Sequence, residues 1–378
     1  MFVNFIITMS GALVSLVAKG SQDAYLINND GETSFFKSKF TRYTNFAQAP
    51  KRLDFTGGPI QNNGTSSIFI PSYGDLINQI WLEGTNLIKL VDTNNRHSSY
   101  VNLFGTIFDF YIGGQKIDSQ TFDYMSDVWQ VYMAETYSKC ITINNNISQS
   151  DSHFFPLHFF FCDNDMFLPL ISLVYHQVEI RITWGPYIQS VSNLNVYGNY
   201  IFLDTKEREE LVAKPQVDML ITQVQTIKGD FSSIDLSSFN HPIKSIYFGY
   251  PQTSNVLAHW SFDNADIALN GTYLLENMSS SYFHTVQGYY NTKYGVINFH
   301  PTNNSPRYTQ YYTYNFCLNA TSYKPTGTCN FSRLDNAVLK IHNSNIDTGN
   351  IMKTTTIYAV NYNILRLKSG IAGILFSN

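Results

Sequence analysis

The chain has 378 residues, a net charge of −4, 15% aromatic residues and 14% charged residues, against a usual charged share of about 25%. That length suits two domains that each bury a core, and the aromatic excess is the opposite of the bias that keeps chains disordered. No basic block or stripe is present, so the cationic footprint of direct nucleic-acid binding is missing.

Residues 1–18 are largely apolar but lack the positively charged start of a signal peptide. Asn4, Thr8, Ser10 and Ser15 make the segment a poor membrane span. Met9, Leu13, Leu16, Val17 and Gly20 fall at helical spacing, which predicts a short helix with one apolar side.

Beyond that segment, helical periodicity is rare. Most stretches are short, rich in Val, Ile, Tyr, Phe and Thr, and bounded by Gly, Asn, Asp or Pro. This is the pattern of a sandwich or barrel, and without alternating βα units a parallel sheet is disfavoured. Pro71 opens a segment that ends in Ile80-Trp81-Leu82. The strand Ile107 to Ile112 runs into Gly113-Gly114, and a helical turn is expected over 122–137, around Trp129. An aromatic run closes on Cys162, a strand is expected over 174–182, and Asn199-Tyr200-Ile201-Phe202-Leu203 ends the series.

In the 174–182 strand, Val174, His176, Val178, Ile180 and Ile182 share one face, and Glu179 and Arg181 are neighbours on the other. Those two charges read as a local ion pair. Gly113-Gly114 and Gly57-Gly58 read as turns that need positive φ.

The series is then told again. Pro242 opens Ile243 to Phe248, Ile267-Ala268-Leu269-Asn270-Gly271 stands for the Gly-Gly strand, and Tyr314-Asn315-Phe316-Cys317 stands for the Cys162 run. Ala337 to Ile341 and Asn361 to Leu365 complete it. The order is kept at an offset of about 160 residues, far above the roughly 20–50 residues of a solenoid repeat, so a whole domain is duplicated. Between the copies lies the charge-dense stretch 204–214, followed by Pro215, which reads as a helix or linker at the boundary.

The sequence holds little catalytic chemistry. Among nine histidines the tightest pair, His153 and His158, falls on opposite faces of a strand, and there is no HxH or HExxH. Of four cysteines (Cys140, Cys162, Cys317 and Cys329) none forms a CxxC pair. Cys162 and Cys317 match between the copies, which suggests one buried thiol per domain in a reducing compartment. No GxSxG elbow or phosphate-cradling loop occurs. Phe154-Phe155 and Phe159-Phe160-Phe161 read as core or as a sugar platform, core packing being favoured in so Phe-rich a chain. Sequons at Asn63, Asn146, Asn270, Asn277, Asn303, Asn319 and Asn330 are about as many as chance supplies in so Asn-rich a chain. Low charge with many Tyr, Phe and Asn fits a surface covered by neighbours, and also fits AT-rich codon usage.

Several of these segments resemble one family, the major capsid proteins of large nucleocytoplasmic DNA viruses. They are GALVSLVAKGSQDAYL (11–26), Phe35-Phe36-Lys37 with Arg42-Tyr43-Thr44-Asn45-Phe46, and Ile112 to Asp118 ahead of Trp129. Leu168-Pro169-Leu170-Ile171 with Tyr175 to Ile180, and Phe239-Asn240-His241-Pro242-Ile243-Lys244, continue the match. PTGTCNFSRLDNA (325–337) and the closing YAVNYNILRLKSGIAGILFSN from Tyr358 are the most specific.

The resemblance implies an all-β fold, a double jelly roll of two eight-stranded antiparallel β-sandwich domains with a short N-terminal helical segment. On this basis 1–25 is an inner-side segment, 26–212 the first jelly roll and 213–378 the second. It also implies a structural role, without catalysis or cofactor. Homotrimers of pseudo-hexagonal outline would meet neighbouring capsomers to tile an icosahedral shell around an internal viral membrane. Met9, Leu13, Leu16 and Val17 would then contact minor capsid proteins and lipid, and no nucleic acid directly. Assembly would take place in the host cytoplasm, and Phe- and Tyr-rich loops would supply large apolar contacts between subunits. Being shorter than most members, the chain is expected to have small outward loops. Its Thr272-Tyr273-Leu274 lacks the basic residues that many members carry there. The rival reading is a pair of carbohydrate-binding jelly-roll modules, which predicts exposed aromatic grooves on a monomer. A cupin-like metalloenzyme would need the absent HxH.

Overall fold

The computed structural model describes residues 11–27, 42–87, 89–90, 98–99, 101–133, 152–162, 166–230, 233–249, 260–292, 311–343, 345–346 and 354–377. The chain divides into two compact units, Met1–Thr44 and Asn45–Asn378. In the first, helix Gly11–Val17 is followed by a 3-10 turn, Ser21–Tyr25. The Asp23 carboxylate closes that turn by accepting the Gly20 N–H at 2.6 Å. Among the described residues no helix is long and apolar enough to cross a membrane.

The second unit is built from four main antiparallel sheets. The first runs Phe46–Leu53, Ser192–Leu203, Leu76–Thr85, with Ser152–Pro156 and Leu168–Pro169 both on the far side of Leu76–Thr85. The second runs Phe55–Gly57, Thr65–Ile70, Val178–Thr183, Ile107–Ile112, Gln115–Thr121. The third runs Gln216–Asp230, Thr354–Lys368, Pro242–Gly249, Tyr311–Asn315, and the fourth Ile234–Asp235, Ala337–His342, Asn264–Leu269, Thr272–Ser279.

In both halves the skeleton strands, counted along the chain, lie in the order first, eighth, third, sixth in one sheet and second, seventh, fourth, fifth in the other. That is the jelly roll, made twice. Phe55–Gly57, Leu168–Pro169, Cys329–Asn330 and Ile371–Ile374 are short additions to this skeleton. Both turns joining the fourth and fifth strands hold two residues at positive φ, Gly113-Gly114 at 57° and 80° and Asn270-Gly271 at 48° and 77°, as the right-handed twist of a tight hairpin requires.

Each sandwich has its own filling. Ile68, Ile80, Leu82, Phe108, Phe110, Phe155 and Ile180 are buried in the first, and Ile246, Phe248, Phe262, Ile267, Leu339 and Ile357 in the second. Phe159, Phe160 and Phe161 are all buried, with ring centroids 5.3, 6.1 and 5.1 Å from Phe110. They are therefore core, not a sugar platform. Phe154 alone of these aromatic runs turns outward.

The strand expected over 174–182 begins only at Val178. Val178 pairs with Ile70 on one side and Ile112 on the other. Beyond them come Pro71, which has no N–H, and the Gly113 turn, whose last bond to this segment is the Gly113 N–H to the Gln177 carbonyl at 2.9 Å, so the ladder stops there, and Val174 and Tyr175 are exposed. From Val178 onward the expected alternation holds. Arg181 Nε and Nη2 donate to Glu179 Oε1 and Oε2, each at 3.1 Å, with the guanidinium 4.2 Å from the Tyr111 ring.

The turn around Trp129 is a π-helical stretch, Tyr124–Met133. The charged boundary stretch is helix Thr205–Ala213, where Asp204 Oδ1 accepts the Thr205 N–H at 2.8 Å. Of the two matched thiols Cys317 is buried and Cys162 half-buried; Cys317 and Cys329 form no disulfide, and Cys140 lies outside the described residues. Of the second glycine pair only Gly57 has positive φ, at 84°.

Candidate assembly surfaces

A sheet that packs one face on a core leaves the other face to solvent, and its strands alternate in polarity. Strand Pro242–Gly249 does not: from Ile243 to Gly249 every residue is buried. Ile246 and Phe248 enter the second core. Tyr247, with Tyr311, Tyr358 and Val360 of the neighbouring strands, points the other way and joins the apolar cluster of the first sandwich. The outer face of the third sheet is therefore the joint between the two sandwiches.

The first sandwich brings its fifth strand and the following π-helix to that face. Tyr124 packs 5.4 Å from Tyr358, and Tyr132 lies 5.4 Å from Tyr247, measured between ring centroids. The Tyr132 hydroxyl donates to the Tyr311 main-chain oxygen at 2.5 Å, and the Thr121 and Tyr358 hydroxyls share a hydrogen bond of 2.9 Å. Burial pushes the Tyr132 and Tyr311 phenols well above their ordinary pKa.

Asp118 crosses the same joint. Its Oδ1 accepts the Val224 N–H at 2.9 Å and its Oδ2 accepts from Gln120 Nε2 at 2.7 Å. Burial pushes its carboxyl pKa up to about 6, against the lowering effect of those hydrogen bonds.

Beside Asp118 an amide network satisfies some of the polar groups buried at the joint. Gln223 Nε2 donates to the Ile117 carbonyl, and its Oε1 accepts from Asn363 Nδ2 at 2.9 Å. Gln225 Nε2 reaches Asn361 Oδ1 at 2.9 Å and the Asn240 carbonyl at 2.7 Å. Lys244, 2% exposed, has its ammonium 5.6 Å from the centroid of the Tyr362 ring, a cation–π distance. Sequence reasoning missed Asp118, Gln223, Gln225 and Lys244 as a group. Polar residues in strands read as solvent-facing, and no local signal marks a second domain resting on them.

The candidates chosen from sequence are placed as follows. Leu16 and Val17 are exposed on helix Gly11–Val17. The main chain of Leu13 lies in the same helix, and Met9 is outside the described residues. Asn63, Asn270, Asn277 and Asn330 are exposed and Asn319 is half-buried, while Asn146 and Asn303 lie outside the described residues. Three of these side chains hold turns through Oδ1. Asn270 accepts the N–H groups of Asp335 and Asn336, Asn330 that of Ser332, and Asn319 that of Thr321.

His153 and His158 are both buried, and the His158 ring stacks on Trp129 with centroids 3.6 Å apart. Among the described residues no three His, Cys, Asp or Glu side chains are placed to hold a metal ion.

Two groups of large exposed apolar side chains lie on the second unit. Val174, Tyr175 and Ile371 lie where the Tyr175 N–H donates to the Gly370 carbonyl at 3.0 Å. Val286, Tyr289, Tyr290 and Leu318 lie on and beside the short helix that follows the fifth strand of the second sandwich, where Asn291 Nδ2 donates to the Cys317 carbonyl at 2.9 Å.

Two family profiles match in tandem. One described as "Major capsid protein N-terminus" covers residues 34–204, and one described as "Large eukaryotic DNA virus major capsid protein" covers 207–373. The major capsid protein of Pyramimonas orientalis virus is 30% identical, over 98% of this chain and all of that protein. That of Paramecium bursaria Chlorella virus 1 is 28% identical, with the same coverage of both chains. In structure, a chain of the PBCV-1 virus capsid superposes with a TM-score of 0.73 at 25% identity, over 91% of this chain and all of its own length. The Faustovirus major capsid protein gives 0.63 at 11% identity, over 90% of this chain and 93% of its own, a likeness of fold.

Proposed function

This chain belongs to the family of major capsid proteins of large eukaryotic DNA viruses, and on that premise we propose that three copies close into a capsomer of pseudo-hexagonal outline. The protein is a structural component of the virion capsid and not an enzyme. The observation that supports the trimer is the duplication itself. Two sandwiches of identical strand order lie in one compact unit, so three chains supply six similar modules and can occupy a lattice site with six neighbours through near-equivalent contacts.

In the same reading such capsomers meet one another in an icosahedral shell around an internal membrane, assembled in the host cytoplasm. Segment 1–25 faces inward, with 26–212 and 213–378 as the two jelly rolls, and the exposed Leu16 and Val17 meet minor capsid proteins or lipid. The exposed sequons Asn63, Asn270, Asn277 and Asn330 are open to glycan attachment, which intact mass would reveal.

Light scattering on the purified chain tests the capsomer. The expected mass is three times the 43.1 kDa of one chain, and a folded monomer at all concentrations would sink the proposal. For the N-terminal segment, Leu13→Asp is expected to leave that mass unchanged while lowering particle yield. Unchanged yield would remove the segment from assembly.

A further inference from the structure

The joint inside the chain has two halves, and each has a second copy elsewhere in the chain whose aromatic side chains stay partly or largely exposed. The fifth strand of the first sandwich ends at Thr121, opposite Ile107, and that of the second ends at Ser279, opposite Asn264. A helical stretch follows both, Tyr124–Met133 in one and Tyr282–Val286 with Gln287–Asn291 in the other. Counted from the strand ends, Tyr290 holds the place of Tyr132. Tyr132 is 2% exposed, sealed against the second sandwich, whereas Tyr290 is 74% exposed and Tyr289 beside it 70%.

The receiving face is duplicated too. In the third sheet Tyr247 pairs with Tyr358, and the next residue on that face, Gly249, pairs with Tyr311. In the first sheet Trp81 pairs with Tyr197, their rings stacked 5.6 Å apart, and the next residue on that face, Glu83, pairs with Phe154. Tyr247, Tyr358 and Tyr311 are buried, while Trp81 and Tyr197 are half-buried and Phe154 is 39% exposed.

We propose that the helix Gln287–Asn291 of one copy, led by Tyr289 and Tyr290, docks on the Trp81–Tyr197–Phe154 face of the next copy, repeating between chains the joint seen within the chain. This names the contact inside the proposed trimer and rests on that reading. The occupant is a second copy of this chain because, among the described residues, the surface that fills the equivalent face is the chain's own counterpart helix, Tyr124–Met133. The contact is heterologous, helix of one copy to sheet of the next, and such contacts close into a ring when the rotation per step allows. Alternating internal and external joints give three of each in a three-chain ring. Leu318 and Val286, exposed beside Tyr290, widen the apolar patch.

The test places the photo-crosslinking residue p-benzoylphenylalanine at position 290 in the full chain, with mass spectrometry to identify the captured peptide. The expected result is an inter-chain adduct on the peptide that holds Trp81 or the one that holds Phe154. In parallel, Tyr289→Ala/Tyr290→Ala is expected to raise the concentration at which trimers dissociate by at least tenfold. A wild-type trimer whose adduct falls elsewhere, or whose dissociation is unmoved by the double variant, overturns this joint and leaves the trimer standing. A wild-type chain that stays monomeric overturns both.

Discussion

Tyr132 of the first sandwich donates its hydroxyl hydrogen to the main-chain oxygen of Tyr311 in the second, at 2.5 Å, in a site from which both side chains are shut off from water. The bond spans the joint, and its acceptor has no solvent to fall back on. Tyr132→Phe keeps the ring against Tyr247 and leaves the buried carbonyl short of a donor, a loss of about 1–3 kcal/mol. Tyr132→Ala also empties a large apolar site, for about 3–5 kcal/mol. Urea unfolding of the two variants is expected to give losses in that order. Equal losses would mean that the hydroxyl, not the packing, carries the contact.

Asp118 makes the joint sensitive to pH. Its folded pKa of about 6 lies above the ordinary 3.8 because burial penalises the charge. A carboxyl raised on folding binds its proton more tightly in the native state, so it favours folding below pH 3.8, and that contribution is lost as pH rises through about 6. The gap corresponds to about 3 kcal/mol. Asp123, just ahead of the π-helical stretch Tyr124–Met133, is shifted upward as well, by burial and then by Asp127. In Asp118→Asn the part of the stability slope between pH 4 and 6 that belongs to this carboxyl is expected to vanish, read as thermal midpoints across that range. A variant with the wild-type slope would show that Asp118 does not titrate there.

Much of the fold was legible because strands obey a period of two. The Val178, Ile180 and Ile182 face, the Glu179–Arg181 pair and the matched hairpins at Gly113-Gly114 and Asn270-Gly271 all follow from local pattern. The joint was not legible. Trp81 with Tyr197, and Tyr247 with Tyr358, are the same kind of aromatic pair in sequence, and only the first sandwich's helix decides that one is sealed and the other half open. The late start at Val178 was hidden for a related reason, since a strand lasts only as long as its partners, here ending at Ile70 and Ile112. Asp118 and Gln223 are polar residues in strands whose burial comes from a partner more than a hundred positions away.

The Gly113-Gly114 turn contains its own control. Both residues have positive φ, which costs a residue with a side chain about 1–2 kcal/mol. At Gly114 a Cβ would meet nothing within 4 Å, but at Gly113 it would lie 2.4 Å from His176 Nδ1. That nitrogen accepts the Ala372 N–H at 3.1 Å and so ties the C-terminal hairpin down. Gly114→Ala is expected to cost the backbone amount alone. Gly113→Ala adds the displacement of His176 and the loss of its bond, and its thermal midpoint should fall further. Equal midpoints would mean that His176 yields freely and holds nothing.

Asp75 sits where the first sandwich hands over to the linker helix Thr205–Ala213, and its two carboxylate oxygens have unequal tasks. Oδ2 accepts the Leu203 N–H at 2.9 Å, at the end of the eighth strand, while Oδ1 faces Arg208 Nε at 3.1 Å. Asp75 is 7% exposed, but the Arg208 side chain is 58% exposed and shares its charge with water. Arg208→Ala should therefore cost no more than about 1 kcal/mol. Asp75→Ala strands a main-chain donor and should cost about 1–3 kcal/mol. Asp75→Asn retains an acceptor for Leu203 and should fall near the arginine variant. If chemical denaturation instead shows Arg208→Ala to be as damaging as Asp75→Ala, the ion pair rather than the strand-end hydrogen bond fastens the linker to the first sandwich.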